Sequence, residues 1–127
     1  MIVLDASAAV LALLNDGDAR RWLAIEVVVV PHLADSEVAH ALRAQVLRGH
    51  VDVHSARTAL DRWARIGIRR FAVVGLLARI WELRDNLTAY DATYVALAEG
   101  LGCELVTADA RLARAPGPTC AVTVVRR

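Results

Sequence analysis

Four acidic side chains fall where an α/β chain gathers its ligand site: Asp5 in MIVLDAS, Glu37 in LADSEVAHAL, Asp91 in LTAYDATYVALAE and Asp109 in ELVTADARL. Asp5 and Asp109 follow short apolar runs, Ile2–Leu4 and Leu105–Val106, with the composition of buried parallel strands. Glu37 and Asp91 begin or lie early in amphipathic helical patterns. Two carboxylates about 4 Å apart repel by roughly 4 kcal/mol at an effective dielectric near 20. Four in one pocket cost on the order of 10 kcal/mol, comparable to the whole stability of a small domain, about 5–15 kcal/mol. If the four converge, they need protons or a cation. Oxygen-only ligation suits Mg²⁺ or Mn²⁺ better than Zn²⁺. A hard dication held by carboxylates points in turn to phosphate chemistry.

Each acid also has a plainer role. Asp5 can cap the helix that follows it, and Thr107 or Asp109 can cap the helix at Ala110. Glu37 can be a solvated residue near a helix start, although Val38 and Ala41 flank it. Asp91 fits a capping box with Thr88, yet it shares a helical stripe with Val95, Ala98 and Leu101. A carboxylate on an inward stripe is costly unless something neutralises it. The four histidines, His32, His40, His50 and His54, have no zinc spacing, and Glu37-x-x-His40 is a single pair.

Strands and helices must alternate to bring these acids together. The expected strands are Ile2–Asp5, Val27–Val30, the alternation through Ile68, Phe71 and Val73, Glu104–Val106 and Ala121–Val125. The expected helices are Ser7–Leu14, a short one capped by Asp18 and reaching Ile25, Leu33–Arg48, Ser55–Arg65, Gly75–Arg84, Thr88–Leu101 and Asp109–Arg114. That order implies a parallel sheet covered on both faces, with ligands beyond the carboxyl ends of the strands. Asp5 and Asp109 both fall at such ends.

The chain has 127 residues, the size of a single domain spanning 1–127. Its hydrophobic share is 57% and its mean hydropathy +0.41, high enough to suggest an apolar surface awaiting a partner. No signal peptide and no membrane-length apolar run is evident, so a cytoplasmic protein is expected. Cys103 and Cys120 read as reduced core thiols rather than a disulfide framework. The net charge of +1 gives no global footprint for nucleic acid, and all fifteen basic residues are Arg. Arg suits phosphate oxygens, but a GC-rich genome would produce the same skew.

The opening IVLDASAAV, the helix LADSEVAHAL, the stretch LTAYDATYVALAEGLGCELVTADARL and the C-terminal apolar strand together resemble the PIN domain, particularly VapC-type toxins of bacterial toxin–antitoxin pairs. The resemblance implies a PIN-like three-layer α/β sandwich with a central parallel sheet flanked by helices. It puts the acidic quartet on Asp5, Glu37, Asp91 and Asp109, with Thr107 and Ser7 in support. Asp35 lies close enough to compete with Glu37. The implied activity is a Mg²⁺- or Mn²⁺-dependent endoribonuclease, Asp5, Asp91 and Asp109 holding the metal and Glu37 orienting a water. RNA would be the substrate and a cognate antitoxin the inhibitor. A homodimer is implied as well, with Trp22, Trp63 and Trp81 as possible contact anchors. The alternative is a PIN-like domain that binds RNA or a protein without cleaving. A phosphoacceptor receiver domain also clusters acids at strand ends, but it relies on a Lys that this chain lacks.

Overall fold

The computed structural model describes residues 1–126. Its frame is an all-parallel sheet built from β1 (Ile2–Leu4), β2 (Val28–Pro31), β3 (Arg69–Phe71), β4 (Glu104–Thr107) and β5 (Val122–Val124). The spatial order is β3-β2-β1-β4-β5. The three inner strands are short runs rich in Val, Ile and Leu, and nearly every residue in them is buried. Continuous rather than alternating burial is what a parallel sheet covered on both faces requires. Ile2 pairs with Val28 on one side and Glu104 on the other, which sets β1 at the centre.

Two groups of helices supply the cover. Helices α1 (Ala6–Leu14), α2 (Asp18–Ile25), α3 (Leu33–Leu47) and α4 (Val53–Arg65) pack on one another, with α1 touching β4 and α3 touching β2. Helices α5 (Leu77–Glu82) and α6 (Ala89–Leu101) pack together, and α6 lies along β1, β2 and β4. Helix α7 (Ala110–Arg114) stays by the edge strand β5. The core includes Val3, Leu4, Val29, Val30, Val38, Val95, Leu105 and Val106, all fully buried.

Local signals start and stop the elements. The Asp5 side chain caps α1 through the Ala8 amide, Asp52 caps α4 through Ser55, and Thr88 caps α6 through Asp91. Gly102 ends α6 at φ +64°, a left-handed conformation that costs glycine least. Several boundaries differ from the sequence reading. Asp18 is the first residue of α2 and Gly17 precedes it, so no side chain caps that helix. Helix α4 begins two residues before Ser55 because Asp52 supplies its cap. The Ile68–Val73 alternation yields only Arg69–Phe71, an edge strand with partial burial. The expected helix from Gly75 opens as a 3₁₀ turn over Val74–Leu76 before α5 begins. Among the described residues, no helix is long and apolar enough to cross a membrane.

Candidate active site

The strand order turns back between β1 and β4, since β1 leads on to β2 on one side and β4 to β5 on the other. Crevices form at such a switch point, outside the carboxyl ends of the strands. Asp5 sits just beyond β1, and Thr107 ends β4 beside it. Asp5 is only 6% exposed. One carboxylate oxygen, Oδ1, accepts from the Ala8 amide at 3.0 Å and from the Ser7 hydroxyl at 2.6 Å. The other accepts from Thr107 Oγ1 at 2.5 Å, joining residues 102 apart in the chain. Thr107 Oγ1 and Ser7 Oγ in turn accept from the amides of Asp109 and Ala108, each at 3.0 Å. Helix cap and site member are therefore the same residue in Asp5. Its two hydroxyl neighbours fix the carboxylate rather than merely stand near it.

Glu37 lies in the first turns of α3, and Asp91 in the first turn of α6. Tyr94, one turn after Asp91 and 2% exposed, donates its hydroxyl to Glu37 Oε1 at 2.7 Å. That bond ties the start of α6 to the start of α3. Asp35 has a different occupation. It accepts from Arg70 Nε at 2.8 Å and from Trp63 Nε1 at 2.8 Å, away from the quartet. Asp35 is thus committed to Arg70 and Trp63, while Glu37 is bonded to Tyr94. His40 is exposed, in line with its plainer reading. Of the tryptophans, Trp63 is a core residue, Trp22 is half-buried and Trp81 is exposed.

Asp109 caps α7 through the Arg111 amide at 2.9 Å, and the Arg111 guanidinium lies 3.3 Å from both carboxylate oxygens. This contact holds the Asp109 carboxyl below the usual range. The other three acids move the opposite way. Burial pushes the Asp5 carboxyl up, and the charge of Asp91 adds to the rise. Burial also raises Glu37, helped by Asp91 and Asp5 and opposed by the Tyr94 hydrogen bond. Asp91 is raised by burial and then by Asp109. The charge of Asp91 thus reaches Asp5 and Glu37, that of Asp5 reaches Glu37, and that of Asp109 reaches Asp91. Among the described residues, none of Asp5, Glu37 and Asp91 forms an ion pair. Acids held near one another against their own repulsion are common at functional sites and in structural charge networks alike.

The donors are carboxylate oxygens with hydroxyls behind them, a set that fits a hard dication such as Mg²⁺ or Mn²⁺. Among the described residues, no three His, Cys, Asp or Glu side chains are grouped as a ready-made metal cage. Asp109 is turned toward Arg111, and Glu37 toward Tyr94. Asp109 is compensated by Arg111, whereas Asp5, Glu37 and Asp91 have no ion-pair partner among the described residues. Two residues escaped the sequence reading. Tyr94 stands three positions after Asp91, but its partner Glu37 is 57 residues away, so local spacing carries no signal for it. Arg111 stands two positions after Asp109, where a basic residue beside a helix cap carries no distinctive signal.

The PIN domain family matches residues 2–118. Ribonuclease VapC9 of Mycobacterium tuberculosis (strain ATCC 25618 / H37Rv) is 55% identical over 127 residues, covering 100% of both chains. The chain belongs to the PIN domain family, in its VapC branch. Solved PIN folds agree in architecture. PAE2754 from Pyrobaculum aerophilum superposes with a TM-score of 0.70 at 28% identity, covering 95% of this chain and 81% of that one. VapBC2 from Rickettsia felis, bound to a DNA fragment from their promoter, gives 0.70 at 14% identity and 98% coverage of both. With this PIN domain, the α/β fold and the family expected from the sequence are both borne out.

Proposed function

We propose that this PIN domain is an endoribonuclease that hydrolyses RNA phosphodiester bonds with Mg²⁺ or Mn²⁺, acting as the toxin of a toxin–antitoxin pair. The observation that supports the reading is a chain of acids at this end of the sheet: burial raises Asp5, Glu37 and Asp91, the charge of Asp91 acts on Asp5 and Glu37, and that of Asp109 acts on Asp91. The 55% identity to a ribonuclease over the full chain supports the same reaction class.

Asp5, Asp91 and Asp109 are the residues that would hold the ion. When bound, such an ion polarises a phosphate and makes a water more acidic. The chain's own groups supply positioning and proton handling. Ser7, Thr107 and the Ala8 amide keep Asp5 in one orientation. Glu37, raised by burial and by its acidic neighbours, is the candidate to orient the attacking water and accept its proton. Tyr94 fixes which way Glu37 points. Arg111, exposed at the rim, can leave Asp109 for an RNA phosphate, a contact that positions the backbone without reading sequence. Base choice then rests on unpaired nucleotides, so exposed loops of structured RNA are the substrate class.

Pairing with an antitoxin is supported by the VapBC2 assembly among the structural neighbours. A homodimer would give the exposed apolar side chains of Val74, Leu77 and Trp81 a partner. The setting would be the cytoplasm. Purified protein incubated with structured RNA should cut it in Mg²⁺ or Mn²⁺ and stop in EDTA. Asp5→Asn should fold and fail to cut. Equal cleavage by the wild type and Asp5→Asn, or cleavage that persists in EDTA, would refute the proposal.

A further inference from the structure

The β4–β5 register extends upstream of the paired residues. Leu105 is aligned with Val122, and the Leu105 amide donates to the Ala121 carbonyl at 2.9 Å. Two positions earlier on each segment stand Cys103 and Cys120. Cys103 immediately precedes β4 and Cys120 lies two residues before β5, so the register sets the two cysteines level at the starts of adjacent strands. Neighbouring strands lie about 4.8 Å apart, inside the roughly 4.4–6.8 Å Cα separation that a disulfide spans. Both cysteines are free, both are half-buried, and both line one surface cavity with Glu99, Gly102 and Thr119. The Cys120 thiol, raised chiefly by burial, also feels the charge of Cys103.

The segment carrying Cys120 is held in place from outside the sheet. The Thr119 amide donates to Glu99 Oε2 at 2.7 Å, and Arg79 bridges Glu99 at 2.7 Å and the Gly117 carbonyl at 3.0 Å. A folded chain therefore places both thiols on one cavity, beside the starts of neighbouring strands. The residues between them include all of β4, Thr107, Asp109 and α7.

We propose that Cys103 and Cys120 form a modification site, a dithiol closed into an intramolecular disulfide by a small-molecule disulfide of the glutathione class. One cysteine thiolate attacks the reagent, forming a mixed disulfide and releasing one reagent thiolate. The second cysteine thiolate attacks the protein sulfur of that mixed disulfide and releases the other reagent thiolate. Two protein thiols are oxidised, one reagent disulfide is reduced to two thiols, and the two protons pass to the departing thiolates. The product is a covalent ring that encloses Thr107 and Asp109. Burial raises both thiols, so closure quickens as pH rises toward their range. The inference is independent of the nuclease reading.

The full chain is incubated with oxidised glutathione at alkaline pH, then trapped with N-ethylmaleimide and weighed intact. The expected product has lost two hydrogens, carries neither maleimide nor glutathione, and runs as a single chain on a non-reducing gel. Its Tm rises by roughly 10 °C, the scale for closing a ring of this size, and dithiothreitol reverses the rise. Cys103→Ser and Cys120→Ser should each keep one glutathione on the remaining thiol and show no rise. Wild-type protein that retains two glutathiones, takes up two maleimides, or cross-links between chains would overturn the proposal.

Discussion

Replacing Tyr94 with Phe removes one oxygen atom and leaves the ring's packing intact. The lost contact is a 2.7 Å bond from a neutral hydroxyl to Glu37 Oε1. Hydrogen bonds to charged groups contribute about 1.5–3 kcal/mol, and the lower end applies because Glu37 is half-buried and can turn to water. At about 4 °C per kcal/mol for a chain of this size, Tm should fall by roughly 6 °C. The chemistry should respond more sharply than the stability. The Tyr94 bond lowers the Glu37 carboxyl against burial and two neighbouring charges, so removing it raises that carboxyl further. If Glu37 acts as the base, the acidic limb of the cleavage profile moves to higher pH in Tyr94→Phe. Cleavage of a structured RNA would be followed at saturating Mg²⁺ from pH 5 to pH 8, beside thermal melts of both proteins. A Tm loss with an unmoved acidic limb would make Tyr94 a packing residue only and refute its role in aiming Glu37.

The acids themselves give two further expectations. Because burial and mutual repulsion raise Asp5, Glu37 and Asp91, their contribution to stability is complete below the unfolded carboxyl range and is lost as pH rises through their folded values. Asp91→Asn in EDTA should therefore match the wild type near pH 3.5 and gain on it by on the order of 1 kcal/mol at pH 7. A melt in which the variant is the weaker protein at pH 7 would contradict this. Asp35 and Glu37 should separate cleanly, since Asp35 is lowered by Arg70 and Trp63 and its stabilisation is lost as pH falls through its folded value. Asp35→Ala should cost about 2–3 kcal/mol by orphaning the Trp63 N–H and the Arg70 fork, while RNA cleavage per folded molecule holds. Glu37→Ala should reverse that pattern, and a swap of the two outcomes in melts and cleavage assays would transfer the role to Asp35.

Much of the frame was legible because the inner strands are buried on both faces, and Ile2–Leu4, Val28–Val30 and Leu105–Val106 read as unbroken apolar runs. The edges were less so. No residue of β3 or β5 is fully buried, so periodicity overstated both, and the α5 region opens in a 3₁₀ turn that its apolar spacing does not reveal. Asp5, Asp91 and Asp109 stood out by their places after strands and early in a helix. Glu37 could not be told from Asp35 locally, because Trp63 and Arg70, which engage Asp35, lie 28 and 35 residues away from it. The Tyr94 bond to Glu37 spans 57 residues and is a product of how α3 and α6 meet. Long-range partners of this kind come from topology and leave no mark in local spacing.

The Thr107–Asp5 bond joins the end of the first strand to the end of β4, 102 residues further along the chain. A ribosome-bound chain that has emerged only through α6 has Asp5, Glu37 and Asp91 but lacks the strand that orients the first of them. Asp109 arrives later still. Under the proposed nuclease reading, an enzyme that degraded RNA while being translated would endanger its own message, and this wiring leaves Asp5 without its Thr107 partner until β4 has been made.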